Sequence, residues 1–451
     1  MNTKKQTTTQ HLFTNKQLRT LLVPIMVEQL LSSLMGTADT MMVSNVGSAA
    51  ISAVSLVDAI NILVIQALSA LAAGGAILCS QYLGSQNLKK AKRSAEQVLF
   101  VMLVLSCSLS LLCLIFRFPL LRLIFGTVDT DVMANSQIYF FFTLLSFPFI
   151  GLYDAGASIL RAQNNTKGPM TISILSNFLN IGGNAILIFV FGMGVAGAAI
   201  STLVSRIFCA IVVIWQLRNP AEQIYVRNYF SIRPDWSLIK RVLFIGIPSG
   251  IENSMFQFGK LAIQSTVSTL GTAAIAAQAM TNILENVNGI FGIGVGMCLM
   301  TVVGQTLGAG RKEEAKYYIV KLAGIAELGI IASCLLVYAF AGPITRLGGM
   351  ETDSARMCIE MVGAITIVKP LVWVLSFVPA YGMRAAGDVK FSMITSIITM
   401  WGCRVALSIA LIRIFGMGPI GVWYGMFADW TIRGIIFTTR FFSGRWVKKV
   451  I

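Results

Sequence analysis

Charge is scarce in this chain. Only 12% of its 451 residues are Asp, Glu, Lys or Arg, 56% are hydrophobic, and the mean hydropathy is +0.76. A water-soluble domain carries about twice that share of charge, so a soluble fold is excluded. Histidine is nearly absent too. The single one, His11, lies in a polar stretch ahead of the first apolar run, which excludes an active site built on imidazole. The eight cysteines (Cys79, Cys107, Cys113, Cys209, Cys298, Cys334, Cys358 and Cys403) are scattered and form no CxxC pair. They read as small apolar residues, with no disulfide framework or zinc site. No GxxxxGK[ST] loop occurs, so ATP is not the energy source. Residues 1–17 lack the apolar core and cleavage site of a signal peptide, and the first apolar run is expected to act as an uncleaved targeting signal.

What the chain has is long apolar runs, near 18–43, 51–80, 94–116, 132–160, 168–191, 195–217, 240–269, 273–306, 315–341, 355–382, 391–414 and 419–441. A helix of about 20 residues crosses a ~30 Å hydrocarbon core, so the sequence predicts an all-α polytopic membrane protein of twelve spans. The net charge of +16 is topological rather than a nucleic-acid footprint. Twenty-five of the 35 Lys and Arg fall in alternate loops and the two tails, five in the intervening loops (Arg117, Arg122, Arg346, Arg356, Arg413) and five inside the runs. By the positive-inside rule, the tails 1–17 and 442–451 and the connection 218–239 are cytoplasmic, in a plasma membrane such as a bacterial inner membrane.

The chain is an internal duplication. A shift of 224 residues brings Pro24 onto Pro248, Glu28 onto Glu252, Gly47 onto Gly271, and Gln81, Leu83 and Gly84 onto Gln305, Leu307 and Gly308. RAQNNTKGPM at 161–170 matches RAAGDVKFSM at 384–393, and FGMG recurs at 191–194 and 415–418. Each half, 18–217 and 240–441, holds an even number of spans. The repeats are therefore parallel, an arrangement in which substrate sites form between halves.

An ionisable group at membrane depth costs at least ~2.5–3.5 kcal/mol on insertion scales and marks a functional site by default. The first run holds Glu28 and Asp39, eleven residues apart, hence on one helical face about 16 Å from each other. Pro24 can kink the helix just before them and is the candidate hinge. Glu28 and Glu252 each follow a proline by four residues. Their readings are coupling or substrate contact, and bonding of the carbonyl the proline leaves unpaired; for Glu28 and Asp39 the plainer reading is a salt bridge or a place near a helix end. Asp154 is a cavity candidate, set two turns from Arg161 and too far for a direct bond; Asp58 is expected nearer the outer surface. In the second half, Lys260, Glu285 and Lys369 read either as lysine–glutamate fasteners, Lys260 bonded to Glu252 or Glu285, or as lysines that meet substrate. Arg206, Arg404 and Arg433 read as structural, Arg433 pairing with Asp429 one turn earlier. The glycines 289, 292, 294, 296 and 304 serve close packing or a hinge. Met255, Phe256, Phe258 and Met280 are candidates to line an adaptable cavity.

Several motifs resemble one family. They are MGTADTMMVSNVGSAAISAVS, CSQYLGSQNLKKA, LRAQNNTKGPM, SNFLNIGGNAILIFVFGMGVAGAAIST and VVGQTLGAGRKEEA. Together they look like the multidrug and toxic compound extrusion (MATE) family, and the likeness runs over about residues 18–445. It implies two six-helix lobes around a V-shaped cavity. It also implies export of amphipathic, often cationic compounds against influx of Na+ or H+, with no enzymatic activity and no cofactor. The implied partners are a small drug-like substrate and the bilayer, for a chain acting as a monomer without nucleic acid. Asp39 matches the family's first-span aspartate and Asn180 its fifth-span asparagine; Asn184 stands where the DinF-like branch has a second aspartate. If the spans pack as in the family, Thr202 joins them. One carboxylate among amide and hydroxyl oxygens suits Na+, while a desolvated carboxylate holds a proton more readily. The NorM-like acids are missing: Gln257 lies near one of their positions and no acid near the other, so the likeness is to the DinF-like branch. The rival within the superfamily is a flippase for lipid-linked oligosaccharides. An intramembrane enzyme lacks a catalytic constellation here, and a channel would not need the repeat.

Overall fold

The computed structural model describes residues 11–126 and 128–449; residues 1–10, most of the expected N-terminal tail, lie outside the described residues, as do 127 and 450–451. All regular structure among the described residues is helical. The first half holds α1 (Asn15–Ser44), α2 (Ser48–Gly84), α3 (Leu88–Ile115), the short α4 (Arg117–Phe125), α5 (Thr130–Ala162), α6 (Lys167–Asn184) and α7 (Gly194–Leu217). The second half holds α8 (Trp236–Val267), α9 (Thr272–Gly308), α10 (Lys312–Leu347), α11 (Thr352–Ala385), α12 (Val389–Thr399), α13 (Ser408–Arg413) and α14 (Ile420–Phe442). The helix of α6 widens into a π-helical stretch, Ala185–Val190, and α12 reaches α13 through another, Met400–Leu407.

Ten of these rods are long and apolar enough to cross a membrane, α12 through α13 counting as one. Helices α8 and α14 have the length, at 32 and 23 residues, but carry Glu252 and Lys260, and Asp429 and Arg433, in their middles. Arg117 and Arg122, loop residues by the charge pattern, lie instead in the short helix α4.

Local chemistry sets the ends. Thr14 opens α1 with a capping box: its hydroxyl accepts from the Gln17 amide while the Gln17 side chain accepts from the Thr14 amide, so the chain enters the helix with two orphan donors satisfied. Gly47 and Gly271 stand just before α2 and α9 at φ +138° and +94°, where a β-carbon would be strained. Pro24 lies inside α1 and Pro248 inside α8.

The buried side chains form two main cores, one per half, yet each reaches into the other. Phe13, just ahead of α1, and Leu18, Leu21, Leu22 and Ile25 in its first turns belong to the second-half core. Leu238 and Val242, at the start of α8, belong to the first-half core. The approaches to these helices are fastened the same way. The Phe13 amide donates to Tyr318 Oη of α10 at 2.8 Å, and Tyr318 donates back to the Phe13 carbonyl at 2.9 Å. On the other side Gln97 of α3 donates to the Arg233 carbonyl and accepts from the Asp235 amide, and Arg93 pairs with Asp235 at 3.0 Å.

The halves meet most closely where α2 crosses α9, at the end of the molecule that carries the basic loops. A β-carbon on Gly84 would stand 1.9 Å from the Gln305 carbonyl oxygen, and one on Gly308 2.0 Å from that of Gln81. Small residues let the backbones approach this closely. The same QxLG repeats supply two further bonds. Gln81 Nε2 donates to the Ala385 carbonyl and Gln305 Nε2 to the Ala162 carbonyl, both at 2.7 Å. Those carbonyls end α11 and α5, where no intrahelical donor remains; a glutamine from the opposite half supplies one.

Candidate functional site

The first polar cluster lies near the C-terminal end of α1. Asn184 Nδ2 donates to Asp39 Oδ1 at 2.6 Å and approaches Asn180 Oδ1 at 3.4 Å; Asn180 Nδ2 donates to Thr202 Oγ1 at 3.3 Å. The structure thus brings Asp39, Asn180, Asn184 and Thr202 together. Asn180 and Asn184 are fully buried, and Asn184 Oδ1 has no donor among the described residues. A buried carbonyl oxygen without a donor is costly; beside a carboxylate it is a ready ligand for a cation. The π-helical stretch beginning at Ala185 directly follows Asn184, and such widenings recur at functional sites.

Around this cluster, Asp58 accepts from Asn61 and Tyr139, and Arg206 donates to Ser146 at 2.6 Å. Asp154 makes no ion pair with Arg161, and its Oδ2 is buried without a partner among the described residues. Glu28 takes the salt-bridge reading. It is buried and ion-paired to Arg161 at 2.8 Å, with Tyr153 donating to the same oxygen at 3.3 Å. The carbonyl that Pro24 leaves without an intrahelical donor, that of Thr20, accepts instead from the Thr166 hydroxyl at 3.2 Å, and an ionised carboxylate has no proton to donate to it. Its repeat mate Glu252 pairs with Arg384 at 2.6 Å. Both arginines fall just past their apolar runs in the sequence, yet each lies in the last turn of a long helix and points back into the protein. The signal was in the repeat: glutamate and arginine recur together in both halves.

A cavity of about 580 Å³ lies mainly in the second half, with Ala59, Ile62 and Gln66 of α2 on its first-half side; its lining includes Glu252, Gln257, Lys260, Glu285, Arg384 and Arg404, with Phe256, Trp373, Phe377, Tyr381 and Trp430. Lys369 is fully buried and pairs with Glu285 at 2.6 Å. Asp429 receives both Arg404 and Arg433 at 2.8 Å, the Arg433 pair as expected. Lys260 departs from the fastener reading. Glu252 and Glu285 have other partners, and Lys260 ion-pairs with no described residue. Of the four apolar candidates, only Phe256 lines the cavity; Met280 packs against the core and Phe258 is exposed. The glycines of α9 act mainly in close packing: β-carbons on Gly292 and Gly296 would strike Trp373 and Tyr381, and one on Gly304 would strike Ser80.

A multi-pass helical bundle with a buried oxygen cluster in one half and a polar cavity in the other is the build of a membrane transporter, not an enzyme. The chain belongs to the MatE family, whose model matches it twice, over residues 24–186 and 248–410; the two matches are offset by the same 224 residues as the repeat. The chain is 26% identical over 458 residues to a probable multidrug resistance protein NorM of Thermotoga maritima, covering 97% of this chain and 94% of that one. It is 28% identical over 433 residues to the uncharacterized transporter YisQ of Bacillus subtilis, covering 94% of each. A multidrug resistance MATE family transporter solved in an outward-facing conformation superposes with a TM-score of 0.89 at 19% identity, over 95% of this chain and 96% of that one.

Proposed function

We propose that this protein is a secondary exporter of small amphipathic compounds, with twelve spans in two six-helix lobes, driven by Na+ or H+ influx at Asp39. The observation that carries the reading is the placement of α1. Its C-terminal part holds Asp39 against Asn184 of the first half, its N-terminal turns are embedded in the second-half core, and Pro24 lies near the end of those embedded turns. A cation at Asp39, Asn180, Asn184 and Thr202 favours one shape of this helix, and a change of shape is felt in the half that holds the cavity. Such a ligand shifts the equilibrium only by its differential affinity for the two states. With the basic loops cytoplasmic, the α2–α9 crossing closes the inner end and the cavity is open to the outside. The lipid-flippase alternative is less favoured because the oxygen cluster has no role in it.

The test is transport by the purified protein in proteoliposomes, with amphipathic dyes and with Na+ and proton gradients imposed separately. Dye movement that follows one gradient and is lost on its collapse supports the reading. Movement under neither gradient refutes it.

A further inference from the structure

The two halves descend from one repeat but carry opposite buried charge. In the first half four acids, Glu28, Asp39, Asp58 and Asp154, stand against two bases, Arg161 and Arg206. Around the second-half cavity the balance is reversed. The charged side chains that line it, with their ion-pair partners, number five bases (Lys260, Lys369, Arg384, Arg404, Arg433) and three acids (Glu252, Glu285, Asp429). Each of these acids is already neutralised. Glu252 has Arg384, Glu285 has Lys369, and Asp429 is shared by two arginines. Lys260 remains on the cavity wall with no ion-pair partner among the described residues.

We propose that the second-half cavity selects amphiphiles that carry an anionic oxygen group beside a flat aromatic body. The anion is answered by Lys260. The ring has the Trp373–Phe377 wall, two side chains stacked with centroids 4.6 Å apart, and Gln257 is at hand for orientation. A simple organic cation meets an excess of positive charge there, with every acid already engaged. The resemblance implied substrates that are often cationic; in this chain the cation belongs to the first half and the anion to the second. That separation lets coupling ion and substrate bind at different sites without competing for one carboxylate. The proposal rests on the exporter reading for the direction of transport, but not for binding.

The experiment compares two xanthene dyes of opposite charge, carboxyfluorescein and rhodamine 6G, binding to the full chain in lipid nanodiscs by fluorescence anisotropy. Wild type should bind carboxyfluorescein the more tightly. Lys260→Ala should weaken that binding about tenfold, or ~1.4 kcal/mol, leave rhodamine 6G unweakened, and unfold at an unchanged temperature because no acid is orphaned. Lys260→Arg should restore the anionic dye, and Lys260→Glu should invert the preference. Tighter binding of rhodamine 6G by wild type, or equal loss of both dyes in Lys260→Ala, would overturn the proposal. Should neither dye be moved under either gradient in proteoliposomes, the exporter reading fails, and the binding preference still decides this one.

Discussion

Replacing Gly308 by alanine tests the α2–α9 crossing as the closed end of the transporter. The new β-carbon would stand 2.0 Å from the Gln81 carbonyl oxygen, whereas such carbon–oxygen contacts lie at ~3.3 Å or more. The helices must separate by roughly 1.3 Å or leave this arrangement. Overpacking of that kind costs about 1–3 kcal/mol. Separation also stretches the Gln81 bond to the Ala385 carbonyl, worth about 1 kcal/mol net. The closed crossing should therefore lose ~2–4 kcal/mol, a shift of roughly 30- to 900-fold in the conformational equilibrium. Gly84→Ala should act alike, since its β-carbon meets the Gln305 carbonyl oxygen. Gly324→Ala in α10, with nothing within 4 Å of its β-carbon, is the control for added helix propensity. The assay is pulsed electron resonance between labels at Leu88→Cys and Lys312→Cys in a cysteine-free background. The wild-type distance should give way to a longer population in both crossing mutants and persist in the control. A Gly308→Ala protein with the wild-type distance distribution and wild-type efflux would refute the assignment.

Three further outcomes are expected. Asp39→Asn should keep fold and expression but abolish gradient-driven efflux in proteoliposomes, since the amide neither titrates nor carries charge; wild-type efflux would remove Asp39 from coupling. Glu28→Gln should lower thermal stability, on the order of 3–5 kcal/mol for a broken buried pair, because it leaves Arg161 at 14% exposure without its acid; unchanged melting would show the pair to be unimportant. External thiol labelling in a cysteine-free background should reach Ser48→Cys and miss Asn228→Cys, and strong labelling at 228 would invert the topology.

Helix positions were legible in the sequence to within a few residues, because each span needs a long apolar run and each turn is punctuated by Gly, Pro or Asn. The repeat was legible because the QxLG and Pro-x-x-x-Glu motifs hold one register. The contact of Asp39 with Asn184 followed only from family likeness, since spacing alone does not say which helices touch. Side-chain direction was beyond reach. Arg161 and Arg384 sit at helix ends, where a basic residue normally meets water, and a long side chain can turn inward to an acid instead. The same limit hid the choice of Glu285 between Lys260 and Lys369. Both lysines lie at plausible helical depth, and only the packing of α11 against α9 decides that Lys369 takes the acid.

The exchange of the leading turns of α1 and α8 between the halves has a consequence for what counts as a folding unit. Phe13 to Ile25 complete the second-half core, and Leu238 and Val242 help complete the first. This is the geometry of a domain-swapped dimer, with the two protomers joined by the 218–235 segment. The contacts are reciprocal in the manner of a twofold interface: Gln81 reaches Ala385 as Gln305 reaches Ala162. Each repeat therefore carries both the donor and the acceptor of its own pairing surface. A single repeat already encodes the assembly, and neither half of the present chain has a finished interior until the other has been made.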